Sequence, residues 1–384
     1  MHIWPSDWDE DDYLRRHADV AEAVRQGGFK SGYEHYVLHG EQEGRARSAA
    51  IRPEGPRLTR LCHDPWINLE VAASGELRPC CNSAPVAGQD VRDIQRDAPV
   101  FRQLRAALLS GDLPAMCRTC HIRPTATTEA LRDSLAALVA DGTDLLAPQP
   151  LQSLRVDVNE QCNLRCTYCA VSQPGYQGLA MAGDVFDGVL ALVDANPGAR
   201  IDLNGHGETT FHPRWVAFAQ QLHQRRAQVT ILSNFARLFT EVEAVTMARM
   251  ATIQISIDSA DDAFLKAIRR KVSLATIRSN IALIRAKAAE LGLAPAWSVS
   301  CGIYDLNLPH LEALADFILA QRFDSVTFWK LVEYPQVADE LHARPFDSLP
   351  PEALRAARAT VAAVVTRLRA AGVVVWLPPD LEPA

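Results

Sequence analysis

Residues 154–158 read Leu-Arg-Val-Asp-Val, and residues 159–169 follow at once as Asn-Glu-Gln-Cys-Asn-Leu-Arg-Cys-Thr-Tyr-Cys. The first five form a strand candidate. Further candidates recur at Arg200–Leu203, Gln228–Leu232, Thr252–Ile257, Ala296–Gly302, Ser325–Trp329 and Val373–Leu377. Between them, Ile277, Ile281 and Ile284, and then Leu311, Leu314 and Ile318, fall at helical spacing. Strands alternating with helices predict an α/β fold, a parallel sheet with helices outside it. Such folds carry their sites at the C-terminal ends of the strands, where Cys162, Cys166 and Cys169 fall. Three thiolates on one compact loop can hold three irons of a cubane cluster and leave the fourth open to a small molecule. The competing reading, a zinc site, normally requires four ligands and favours paired C-x2-C spacing.

The chain has 384 residues, room for two or three domains of about 150 residues each. Its 48% hydrophobic and 22% charged residues exclude disordered, collagen-like and coiled-coil classes. With 39 basic against 46 acidic residues the net charge is −7, which speaks against a protein that tracks a nucleic-acid backbone. No apolar run reaches the roughly 18 residues of a membrane span. Met1–Pro5 lacks the charged-then-apolar layout of a signal peptide, so a cytoplasmic protein is expected. There nine cysteines point to metal or cluster ligation in preference to disulfides.

Upstream, residues 1–50 suggest a small helical module, with Tyr13, Leu14, Val20 and Val24 on one stripe and Gly27-Gly28 closing the first helix. Ile51–Pro56 is a predicted linker. Residues 57–125 hold a second cysteine group: Cys62, Cys80-Cys81 after 17 intervening residues, and Cys117 and Cys120 after 35 more. Within this stretch Ile67, Leu69 and Val71 alternate as a strand, Ser74-Gly75 turns the chain, and Leu77-Arg78-Pro79 begins the return to Cys80. Phe101, Leu104 and Leu108 mark a helix. Residues 126–150, with Leu131, Leu135 and Leu138, form a helical connection. The strand–helix core covers 151–340, and a C-terminal helix and strand cover 350–384.

The C-x3-C-x2-C motif, with Tyr168 just before the third cysteine, resembles that of the radical S-adenosylmethionine (radical SAM) superfamily. The resemblance spans residues 151–335 and implies a partial (β/α)6 barrel. It implies a [4Fe-4S] cluster on Cys162, Cys166 and Cys169 whose open iron binds the amino and carboxylate groups of SAM. Reduction would then release a 5′-deoxyadenosyl radical that takes hydrogen from a substrate. Asn204-Gly205-His206-Gly207-Glu208 resembles the family's glycine-glycine-glutamate element, with His206 as the departure. There the glycines are expected to allow close approach of a ligand, and Glu208 to accept from the SAM amino group. Ser233, Asn234, Ser256 and Asp258 match strand-end segments that face ribose or methionine. Asn307 also fits. Arg269 and Arg270 stand where a family arginine can face the SAM carboxylate, or are solvated surface charges.

The upstream cysteines resemble a SPASM-type auxiliary-cluster domain, here placed before the radical SAM core. The resemblance implies one auxiliary [4Fe-4S] cluster on Cys62, Cys80, Cys117 and Cys120, with Cys81 as the spare or alternative ligand. Four cysteines ending in C-x2-C also suit a structural zinc. His63 and His121 are possible replacement ligands, and Cys301 reads as a small buried hydrophobe. The implied function is a radical SAM oxidoreductase acting on a peptide or protein side chain, reduced by a flavodoxin- or ferredoxin-type donor. Alternatives are dehydrogenation or epimerisation of a carbohydrate or cyclitol, and a non-catalytic iron–sulfur or zinc scaffold. Residues 1–48 resemble a short helical module of bacterial surface and glycan-related proteins, read as a docking or stabilising cap.

Overall fold

A computed structural model of the chain describes residues 8–47, 56–120, 122–139, 144–332, 337, 341 and 343–382. The linker expected at 51–56, except Pro56, and His121 lie outside the described residues. The chain divides into two compact units.

The larger unit is a sheet of seven parallel strands: β1 (Ser153–Val156), β2 (Arg200–Leu203), β3 (Gln228–Ser233), β4 (Thr252–Ser256), β5 (Ala296–Ile303), β6 (Ser325–Lys330) and β7 (Val374–Trp376). Each strand pairs with its predecessor in sequence, the order produced when every crossover turns the same way. The crossovers are α1 (Gly183–Ala195), α2 (Trp215–Gln224), α3 (Glu241–Ala248), α4 (Leu274–Glu290), α5 (Leu311–Ala320) and α6 (Pro351–Ala370). A short helix, Asp262–Arg269, precedes α4. The expected six-strand barrel gains a seventh strand: the apolar stripe of α6 (Val361, Val364, Val365, Leu368) is buried, and β7 covers the open edge of β6. At the other edge the sheet continues past β1 into the hairpin around Glu70–Leu77, where Val71 O accepts from Asp157 N at 2.9 Å.

Alternation gives the sheet two chemically different faces. Leu154, Val156, Ile201, Leu203, Ile231, Ile253, Ile255, Val299 and Val326 are buried, each contributing roughly 1.5–3 kcal/mol. The opposite face is polar and half-buried. Ser153 Oγ donates to Asp202 Oδ2 at 3.2 Å, Gln254 Nε2 reaches Ser298 Oγ and Thr327 Oγ1 at 3.4 Å, and Trp329 Nε1 donates to Ser300 Oγ at 3.1 Å.

The smaller unit gathers the rest of the upstream chain. Its helices include Glu10–Arg16, Ala18–Arg25, Pro99–Ser110 and Thr128–Ala136, and Leu58–Arg60 pairs antiparallel with Thr125–Thr127. Trp8, Tyr13, Tyr33 and Tyr36 share one core with Trp66, Leu108, Leu109, Leu131 and Leu135. A segment of about 40 residues cannot bury four large aromatic rings alone, so it packs on the helices that follow. Arg105, 1% exposed, donates to Leu146 O, Pro65 O and Arg96 O, satisfying carbonyls that the fold buries. Among the described residues no helix is long and apolar enough to cross a membrane.

Candidate functional site

The cysteine loop leaves the C-terminal end of β1 and is fastened by backbone atoms. Glu208 N donates to Gln161 O at 2.9 Å, and Asn159 Nδ2 donates to Gln161 O at 3.0 Å and Glu208 O at 2.9 Å. The glycines after β2 make this approach possible. A Cβ on Gly207 would stand 2.3 Å from Asn159 O, and one on Gly205 would stand 1.8 Å from Asp157 Cγ. The two glycines let the chain after β2 approach Asp157 and the start of the cysteine loop closely. His206 fits between the glycines because its ring turns onto Asp157: Nδ1 lies 3.1 Å and the backbone N 2.9 Å from Asp157 Oδ2. Gly207→Ala is expected to force the backbone apart at a cost of about 1–3 kcal/mol. The check is a lowered thermal midpoint in the purified, cluster-free protein; an unchanged midpoint removes this role.

Glu208, 3% exposed, joins the ends of β2 and β3. Its Oε1 accepts from Thr210 N (3.0 Å), Thr210 Oγ1 (2.7 Å) and Ser233 Oγ (2.7 Å), and its Oε2 accepts from Asn234 N at 2.8 Å. Asn234 Nδ2 donates to Asn163 Oδ1 at 2.9 Å and lies 3.9 Å from Cys162 Sγ. Glu208, Ser233, Asn234 and the first cysteine therefore form one cluster. The next residue, Phe235, is buried with φ of 53°, a conformation unfavourable for a bulky side chain. Asn280 of α4 holds it there, donating to Phe235 O (3.2 Å) and Arg237 O (2.7 Å) and accepting from Phe239 N (3.0 Å). Asn280 carried no sequence signal beyond a polar residue on an otherwise apolar helical face. Asp157 and Asn159 were likewise missed; a carboxylate and an amide flanking a strand end before a glycine pair would have been the clue.

The second side of the loop rests on the end of β4. Tyr168 donates its hydroxyl to Asp258 Oδ2 at 2.6 Å. Asp258, 0% exposed, takes both prongs of Arg269 at 2.8 Å, and Arg269 Nη1 reaches Ser256 O at 2.9 Å. Arg269 is 4% exposed, so the solvated-charge reading fails for it, while Arg270 is exposed. Asn307 is buried, its Nδ2 on Gly302 O (2.6 Å) and its Oδ1 accepting from Tyr304 N (3.0 Å). Cys301 is fully buried beside it, 3.6 Å from Asn307 Nδ2.

Burial pushes all three loop thiols up: Cys162 to about 11, with Glu208 and Cys169 adding to it, and Cys166 and Cys169 also above their ordinary value. Such thiols ionise when a metal's positive charge offsets desolvation.

In the smaller unit, Cys117 lies in the turn Ala115–Arg118, and Cys120 N donates to Cys117 O at 3.3 Å. Burial raises Cys62, and it raises Cys80 to about 12 and Cys117 to about 11. Charge on Cys80 is felt at Cys62, that on Cys81 and then Cys117 at Cys80, and that on Cys120 at Cys117. Cys81 is exposed. His63 turns elsewhere, its Nε2 2.8 Å from Ser134 Oγ. Among the described residues no three Cys, His, Asp or Glu side chains are gathered tightly enough to hold a single metal ion.

Residues 156–318 match the family model described as the Radical SAM superfamily. The match covers the strand–helix core from the end of β1 into α5. GTP 3′,8-cyclase of Mycolicibacterium smegmatis is 27% identical over 143 residues, 36% of this chain and 39% of that protein. Molybdenum cofactor biosynthesis protein 1 of Bos taurus is 29% identical over 231 residues, 54% of this chain and 35% of that protein. The chain therefore spans well under half the length of these relatives. The crystal structure of Streptococcus suis SuiB bound to its precursor peptide SuiA aligns at a TM-score of 0.46 with 15% identity, over 65% of this chain and 53% of that one. A radical SAM domain works with a [4Fe-4S] cluster and SAM. The donor set fits that pair: one buried and two partly buried thiols on one loop, beside a buried carboxylate and amide at neighbouring strand ends.

Proposed function

We propose that this protein is a radical SAM oxidoreductase that modifies a peptide or protein side chain. The observation that carries the radical SAM chemistry is the tie between the cysteine loop and the ends of β2 and β3 through Gln161, Glu208 and Asn234. When bound at Cys162, Cys166 and Cys169, a [4Fe-4S] cluster supplies the electron that cleaves SAM to methionine and a 5′-deoxyadenosyl radical. The chain's own residues then have distinct tasks. Glu208 Oε2 accepts from the SAM amino group, while Ser233 and Asn234 hold that carboxylate in place. Tyr168 and Ser256 line the same strand ends, and Gly205 and Gly207 admit the loop. Asp258 acts through Arg269 and not on SAM.

The peptide reading rests on the upstream quartet Cys62, Cys80, Cys117 and Cys120, which suits an auxiliary [4Fe-4S] cluster able to take the electron left after hydrogen abstraction. The polar face of the sheet adds donors and acceptors suited to a peptide backbone. GTP, named for one relative, is not carried over, since that match covers 39% of the relative's length. The test is anaerobic reconstitution with iron and sulfide, followed by dithionite and SAM. Formation of 5′-deoxyadenosine is expected, with about eight iron and eight sulfide per chain for two [4Fe-4S] clusters. Folded, cluster-loaded protein that leaves SAM intact would overturn the proposal.

A further inference from the structure

We propose that Tyr168, Asp258 and Arg269 form a buried positioning device that fixes the second and third cysteines of the loop, a role that rests on the cluster assignment above. Three observations meet here. Asp258 and Arg269 are 0% and 4% exposed and joined by two parallel 2.8 Å hydrogen bonds, the geometry of a bidentate, strongly oriented pair. Tyr168, between Cys166 and Cys169, donates to the same carboxylate at 2.6 Å. The backbone of the short helix then meets the loop directly: Thr167 N donates to Ile268 O at 2.9 Å, and Cys166 Sγ lies 3.8 Å from Arg269 O.

The turn that follows needs such an anchor. Arg270 and Lys271 have φ of 53° and 49°, two consecutive non-glycine residues in the left-handed region, which persist only when their surroundings hold them. Arg269 supplies the hold by clamping the helix end to Asp258 and to Ser256 O. The carbonyls of Ile268 and Arg269 then face the cysteine loop at fixed positions. Geometry, and not charge alone, does this: a lysine at 269 keeps the charge but lacks the planar fork that spans Asp258 and Ser256 O.

The experiment uses the full chain, first without a cluster. Alkylation of each cysteine by iodoacetamide is followed by mass spectrometry in wild type, Asp258→Asn, Arg269→Lys and Tyr168→Phe. Local opening is expected to speed alkylation of Cys166 about tenfold in Asp258→Asn and Arg269→Lys, and about threefold in Tyr168→Phe, with Cys162, held on the Asn234 side, little changed. After reconstitution the reduced cluster's EPR signal should broaden in the same order. If the first two variants fail to fold, Tyr168→Phe decides alone. Unchanged Cys166 protection in folded variants overturns the device, even where wild type takes up a cluster and cleaves SAM. A wild type that binds no cluster defeats the cluster assignment, while the alkylation rates still decide the anchoring of the loop.

Discussion

Replacing Cys162, Cys166 and Cys169 together by alanine is expected to remove about four iron and four sulfide per chain and all 5′-deoxyadenosine formation. The effect is all-or-none because the three ligands share one loop, and Cys301 of the same unit has its thiol turned into the core against Gly302 O and Asn307. The fold should survive. The loop's shorter fastenings, Glu208 N to Gln161 O, Asn159 Nδ2 to the same carbonyl and Thr167 N to Ile268 O, use no sulfur, and only the longer contacts of Cys162 Sγ and Cys166 Sγ are lost. Each substitution then removes one small, mostly buried atom, at about 1 kcal/mol. The measurement is iron and sulfide content, SAM cleavage and thermal midpoint on the same preparation. A folded triple variant that still yields 5′-deoxyadenosine would show that the cleavage chemistry resides elsewhere.

The strands of the core were legible because their signal is local. Ile253 and Ile255 alternate with Thr252, Gln254 and Ser256, and burial follows that alternation residue by residue. The cysteine loop was legible for the same reason, since its three donors lie within eight consecutive residues. What escaped were the contacts that sequence distance hides. Asn280 acts on Phe235 across 45 positions, and Asp157 receives His206 across 49. Arg269 shows the opposite difficulty. An arginine beside a second arginine and a lysine reads as surface, yet Asp258, 11 residues earlier, draws it inward while its neighbours stay exposed. Charge composition cannot foresee that a single buried carboxylate will select one of three adjacent cations. The hairpin around Glu70–Leu77 was legible, but its place at the edge of the main sheet escaped for a related reason. The β1 edge needs backbone partners, and a segment some 80 residues upstream supplies them, with Val71 O meeting Asp157 N.

Cys80→Ala is expected to lose a second set of about four iron and four sulfide, whereas Cys81→Ala keeps it. The two cysteines are adjacent, but Cys80 is partly buried and Cys81 exposed. Burial raises the Cys80 thiol to about 12, charges on Cys81 and Cys117 raise it further, and its own charge reaches Cys62. Arg123 and Arg60 offset only part of the effect of burial at Cys62 and Cys117, so these thiols ionise when a bound metal adds positive charge. Metal analysis separates the two possible metals: loss of one zinc in place of four iron would make the site structural. SAM cleavage should persist in Cys80→Ala, because its ligands are distinct from Cys162, Cys166 and Cys169, while oxidation of a peptide substrate should stop for want of an electron acceptor. Equal metal loss from Cys80→Ala and Cys81→Ala would mean that either sulfur can serve, and the greater burial of Cys80 would then carry no selectivity.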